Sequence, residues 1–167
     1  MQRVVILGCS GSGKSTFARA LGERTGLPVF HLDALFWKPG WVEPDAAEFK
    51  AKVAAVAAQD AWITDGIYAG RTFPLRLPRA DTVIFLHQPR WLCMFRVVWR
   101  CLTDFGRGRP DMAEGCKENL NLDFLKWVWT FDKVHRPNIE KALADHGASV
   151  THLSGNAAIA RYLETAA

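Results

Sequence analysis

Nothing in these 167 residues approaches the roughly 18 consecutive apolar residues needed to cross a bilayer. No basic n-region, apolar h-region or cleavage site precedes the first strand-like run, so the cytoplasm is the expected compartment and no membrane association is expected. Cysteine is scarce and scattered. Cys9, Cys93, Cys101 and Cys116 form no CxxC pair, which argues against a zinc or redox site and leaves free thiols. Internal repeats and low-complexity linkers are also missing, so residues 1–167 are expected to fold as one domain. Apolar residues at 49% and charged residues at 23% exclude a disordered or fibrous chain and imply a packed core.

Charge of one sign is in modest excess, with a formal net value of +4. Much of it falls between Arg90 and Lys117, where Arg90, Arg96, Arg100, Arg107, Arg109 and Lys117 face only Asp104, Asp111 and Glu114. An anionic partner follows, nucleotide or nucleic acid.

What is present is an alternation of two periodicities. Arg3 to Leu7 is a short, β-branched apolar run suited to a strand buried on both faces. Helical spacing then runs from Lys14 to about Arg24 through Phe17, Ala18, Leu21 and Gly22, with Gly26 and Pro28 after it. Further strands are expected at Val29 to Leu32, Ala61 to Thr64, Thr82 to Leu86 and Ser149 to Leu153. Helices are expected at Asp45 to Ala58, at Trp91 to Leu102, from about Leu120 to His146 with a break near Pro137, and from Asn156 to about Leu163. Phe105 to Pro110 is too rich in glycine and proline for either, which makes it an exposed segment and places a candidate lid at about 103–120. Five strands alternating with helices predict an α/β, three-layer αβα fold around a five-stranded parallel sheet.

Between the first strand and first helix, Gly8-Cys9-Ser10-Gly11-Ser12-Gly13-Lys14-Ser15 matches GxxxxGK[ST], the phosphate-binding P-loop. Average residue frequencies give such a string roughly 0.006 times in a chain this long. Its glycines free the backbone to aim successive N–H groups at phosphate oxygens beside a helix N-terminus. Gly8 to Ser15 and Thr16 are therefore candidates to bind ATP, or GTP, with Lys14 reaching the β- and γ-phosphates and Ser15 offering a hydroxyl to Mg²⁺.

Asp65-Gly66 closes the third strand, Arg71 lies just beyond, and Pro89, Arg96 and Arg100 follow the fourth. This set resembles adenylate kinases and related nucleoside monophosphate kinases. His31-Leu-Asp33, Phe36-Trp37, Pro39-Gly-Trp41, Asp65-Gly-Ile-Tyr68, Arg109-Pro-Asp-Met112 and Glu114-Gly115 are similar to the bacterial adenylate-kinase-related proteins often labelled DNA topology modulation proteins. The resemblance spans nearly the whole chain. It implies a P-loop NTPase fold with an arginine-rich lid, and a transfer of the γ-phosphoryl group of MgATP to a small-molecule acceptor. It also implies that Arg96 and Arg100 enter the lid and that Arg136 folds back over the phosphates. Two departures stand out. His87-Gln-Pro89 replaces an acidic residue before proline, and the acceptor region presents His31, Asp33, Trp37 and Trp41 instead of the adenylate kinase pattern.

The candidate roles follow. Asp33, at the carboxyl end of the second strand, would accept a proton from an acceptor hydroxyl, its alternative being a cap or turn. Asp65, beside Gly66, would hold Mg²⁺ through water. Arg96, Arg100 and Arg136 would neutralise the moving phosphoryl group, with Arg107 and Arg109 as further candidates, and Arg71 would grip an acceptor phosphate or carboxylate. Trp37 would cover the acceptor or pack into the core. Asn156, at the start of the last helix, joins the nucleotide-binding set, and His31 and His87 read as hydrogen-bonded structural residues. A nucleotide-regulated DNA-binding protein, or a plain ATPase, is the competing function.

Overall fold

The computed structural model describes residues 1–108 and 111–166, which leaves Arg109, Pro110 and Ala167 outside the described residues. The apolar opening run forms β1 (Arg3–Gly8), whose Val4 to Leu7 are fully buried because strands flank it on both sides. Then come α1 (Lys14–Thr25), β2 (Val29–His31), α2 (Leu32–Phe36), α3 (Ala46–Ala57), β3 (Trp62–Asp65) and α4 (Ala69–Arg76). The second half contains β4 (Thr82–His87), α5 (Arg90–Thr103), α6 (Leu122–Val134), α7 (Arg136–Asp145), β5 (Val150–Ser154) and α8 (Gly155–Thr165).

The strands pair in the order β2-β3-β1-β4-β5, every pair parallel, as the alternating pattern predicts. Alternation along each strand divides the core. Val4 and Ile6 join Ile63, Ile84 and Leu153 on the face covered by α1 and α8. Val5, Leu7, Trp62 and Phe85 point the other way, beneath Phe73 of α4, Val97 of α5, Phe131 of α6 and Leu143 of α7. The order reverses at β1, whose chain leaves toward β2 and β3 while β4 lies on its other side. A crevice opens at the carboxyl end of such a strand, and here that end is the glycine-rich loop.

Four local features have physical causes, three of them departures from the sequence pattern and one, the helix break near Pro137, expected from it. The second strand stops at His31, and the chain turns at once into the short α2, which places Asp33 in a helical first turn. An additional helix, α4, forms despite Pro74, because Phe73 is buried and Arg76 ties the helix to the sheet. The long helix from Leu120 splits at His135, which ends α6 and caps α7, with Pro137 in the first turn of α7 where its missing N–H costs nothing. Finally, the lid segment is exposed only in part. Residues 105–108 are exposed, whereas Met112 and Cys116 are buried. Gly40 N–H donates to the Gly115 carbonyl (3.2 Å), Cys116 Sγ to the Lys38 carbonyl (3.3 Å), and Trp41 Nε1 to the Lys117 carbonyl (2.7 Å). The far half of the segment thus lies on the loop from Lys38 to Trp41. Among the described residues, no helix is long and apolar enough to cross a membrane.

Candidate active site

Gly13 caps α1 in the left-handed region at φ 94°, and Gly11 holds φ 79° where an added Cβ would lie 2.4 Å from the Cys93 carbonyl oxygen. Only glycine permits that approach of loop to α5. Within the loop, Ser12 N–H donates to the Cys9 carbonyl (3.2 Å), and Lys14 Nζ reaches back to the same oxygen (2.8 Å). Among the described residues, no protein acceptor lies on the N–H groups of Gly11, Gly13, Lys14, Ser15 and Thr16. Such a set of unpartnered amides at a helix start attracts anions. Cys9 lies buried beneath, its thiol pushed far above the usual range by contact with Cys93 and by burial, so it stays protonated.

The loop joins β3 through one carboxylate. Ser15 Oγ donates to Asp65 Oδ2 at 2.7 Å, and His31 Nδ1 lies 2.6 Å from Asp65 Oδ1. Burial works against a charged imidazole at His31, but the hydrogen bond and charge of Asp65 outweigh it and raise the pKa. Both oxygens of Asp65 are thereby occupied by protein groups, while Ser15 retains lone pairs toward the loop mouth.

A cavity of about 1240 Å³ runs from this loop to the segments that carry Asp33 and Arg71. Asp33, Trp37, Gly66, Tyr68 and Arg71 line its far end. Tyr68 Oη donates to Asp33 Oδ1 at 2.7 Å, and burial together with the Asp33 charge pushes the phenol far above its usual range. Tyr68 thus remains a proton donor to Asp33 at every physiological pH. Tyr68 (φ 40°) and Trp41 (φ 63°) are the non-glycine residues in the left-handed region among the described residues, and both adjoin this end. Strain of this kind, about 1–3 kcal/mol per residue, concentrates at functional sites. Trp37 packs its edge on Phe36 (4.9 Å) and lies 5.3 Å from Trp41, so packing and lining the cavity are not exclusive roles. Arg71 projects over the Phe36 ring at 5.4 Å and toward Glu43 at 3.8 Å.

Two arginines of α5 face the same cavity. Arg96 donates to the Gly11 carbonyl (3.2 Å) and to Asn156 Oδ1 (3.3 Å), which also accepts from Gln88 (2.8 Å). Arg100 pairs with the buried Glu118 at 3.1 Å, linking α5 to the lid segment. Arg107 is exposed beyond the end of α5, and Arg109 falls outside the described residues. Arg136 is a correction. It lines a separate depression of about 640 Å³ with His87, His152 and Glu140, and is not among the residues lining the larger cavity. The rotation of α7 pairs its Nε with Glu140 at 2.8 Å, one helical turn on, and holds it 6.0 Å above the Phe85 ring. His87, Glu140 and His152 lie within 4.8 Å of one another, a spacing compatible with a metal ion. Arg136 neutralises the carboxylate, however, and the two imidazoles bond each other at 2.8 Å.

No family model matches this chain, and no curated protein matches it at significance. Solved structures do. A shikimate kinase from Acinetobacter baumannii in complex with shikimate superposes with a TM-score of 0.63 at 14% identity, over 98% of this chain and 89% of that one. A shikimate kinase from Bacteroides thetaiotaomicron gives 0.60 at 16% identity, over 98% and 94%. An unliganded sugar kinase from Janibacter gives 0.53 at 19% identity, over 98% and 93%. The chain shares the fold of these kinases.

Within that fold, the residues that sequence reasoning missed lie mostly at the end of the cavity lined by Asp33, Tyr68 and Arg71. Arg76 is fully buried and donates to Thr64 (3.1 Å), to Thr72 (2.9 Å), and to the carbonyls of Gly66 (3.1 Å) and Ile67 (2.8 Å). Burial pulls its pKa down to about 9, and four acceptors compensate the cost of enclosing it. The guanidinium therefore fixes the loop that presents Gly66 and Tyr68. Arg19, Glu43 and Glu118 also line the cavity. Nothing local in the sequence marks them, and the partners of Glu43 and Glu118, Arg71 and Arg100, come from other segments.

Proposed function

We propose that the protein is a phosphotransferase that moves the γ-phosphoryl group of ATP to the hydroxyl of a small molecule carrying a phosphate or carboxylate. The single observation behind this reading is the set of five unpartnered amides beside Lys14, opening into the cavity whose other end holds Asp33 and Arg71. The names of the similar structures, shikimate kinase and sugar kinase, point to small-molecule acceptors as well.

The residues divide the work. Amides from Gly11 to Thr16 and the Lys14 ammonium bind the triphosphate, and Arg96 and Arg100 supply charge where negative charge is displaced. Asp33, oriented by Tyr68, takes the proton of the acceptor hydroxyl, while Arg71 holds the acceptor's anionic group and Trp37 covers it. Ser15 and Asp65 are the oxygen donors suited to Mg²⁺, the serine directly and the aspartate through water because His31 and Ser15 already engage its oxygens. The ion offsets phosphate charge when bound. The lid segment, resting on the Lys38–Trp41 loop, excludes water from the transfer. GTP in place of ATP, and a nucleotide as acceptor, are variants of the same reading.

The narrower likeness to DNA topology modulation proteins suggests a nucleic-acid role. Arg96 and Arg100 line the cavity, so the segment from Arg90 to Lys117 has fewer cations to offer a phosphate backbone. We therefore favour the kinase. An ADP-release screen with nucleoside monophosphates, nucleosides, sugars and hydroxy acids should yield one acceptor class that raises turnover at least about tenfold, a gain worth about 1.4 kcal/mol in the barrier. Absence of such an acceptor, together with duplex DNA binding at physiological salt, would overturn the assignment.

A further inference from the structure

The side of α5 turned away from the nucleotide cavity is unusually apolar for an exposed surface. Trp91, Phe95, Trp99 and Leu102 recur every three or four residues and therefore stand in one row along the helix. Each is between 59 and 67% exposed, and the Phe95 and Trp99 rings stack at 6.1 Å. Phe105, 68% exposed, follows α5, and at its start Arg90 lies 4.6 Å above the Trp129 ring of α6. An aromatic side chain carries about 150–250 Å², so these residues together expose on the order of 600–700 Å². That exceeds the roughly 300–600 Å² of the largest patch on a typical monomer. With a polar rim it reaches the about 800 Å² that each partner contributes to a standard interface.

Composition and charge indicate what covers it. From Arg90 to Thr103, α5 contains no lysine, aspartate, glutamate, serine or alanine, the residue types depleted at protein interfaces, and apart from the buried Cys93 and Cys101 and the terminal Thr103 is built from arginine, aromatics, methionine and aliphatics. Arg96 and Arg100 point into the cavity, so the cations bordering the row stand at its two ends, Arg90 at the start and the exposed Arg107 beyond Phe105. A helix that lies on a bilayer keeps Lys and Arg along both sides of its apolar stripe, whereas here Arg96 and Arg100 line the cavity and the remaining cations stand only at the ends of the row. The nearly uncharged row can meet an identical row without repulsion, despite the net charge of +4. Residues at i, i+4 and i+8 form a ridge that interdigitates with its own copy at a crossing angle of about −50°. A two-fold axis makes such a contact self-complementary.

We propose that this face is a homodimer interface, two copies of the chain pairing through Trp91, Phe95, Trp99 and Leu102. Sedimentation equilibrium of the full chain from low to high micromolar concentration should show a species at twice 18.7 kDa. Trp99→Glu should weaken the dimer at least about 30-fold, as expected when an interface hot spot is lost. Unfolding midpoints of the separated monomers should show that the variant still folds. As a second arm, Phe95→Glu and Phe95→Lys should each be monomeric alone and dimerise when mixed. A monomer at the highest concentration, a dimer indifferent to both positions, or a monomer that binds phosphatidylserine vesicles instead would each overturn the proposal.

Discussion

The two ends of the large cavity are built by different means. At the phosphate end, main-chain amides of one continuous loop face the ligand space, and a fully buried strand and helix α1 hold them. At the opposite end, side chains from α2, the Lys38–Trp41 loop, the turn after β3 and helix α4 converge, two of them on backbone strained into the left-handed region. Under the proposed function, the first end would recognise a chemistry that all triphosphates share. The second is assembled from identities that can change without disturbing the sheet, which is where discrimination between acceptors would be set.

Three substitutions would break or sharpen this contrast. Lys14→Ala strikes the phosphate end and should leave no detectable turnover with any acceptor, together with weaker MgATP binding in calorimetry. Unchanged turnover would remove the phosphate loop from the chemistry. Asp33→Asn should lower acceptor-dependent kcat by about 10²–10⁴-fold, the range of a general base, with the Kd for MgATP intact. A parallel loss of nucleotide affinity would mean that the two ends are not separable. Tyr68→Phe removes one hydrogen bond to a charged oxygen, worth about 1.5–3 kcal/mol, and should reduce acceptor-dependent kcat/KM by about 10- to 150-fold. An unaltered kcat/KM would make the Tyr68 contact with Asp33 purely structural.

The same contrast explains what could be read from the chain. Arg3 to Thr25 was legible because β-branched run, glycine loop and helical spacing are local signals, and the parallel five-stranded sheet followed from their repetition. Asp33 and Tyr68 stand 35 positions apart, and Arg100 and Glu118 belong to different elements, so no spacing rule joins them. Helix α4 was invisible because Pro74 signals a break, while the buried network around Arg76 that overrides the signal is tertiary. Arg136 was misplaced because a motif gives a position along α7 but not the rotation that turns it toward Glu140.

The contact of Gly11 with the Cys93 carbonyl leaves the glycine-rich turn and α5 no slack between their backbones. A small tilt of that helix must therefore be absorbed by the turn that carries the amides. Were the outer row of α5 occupied by a second copy, association and triphosphate affinity would become reciprocal quantities, each altered by the other by the same factor.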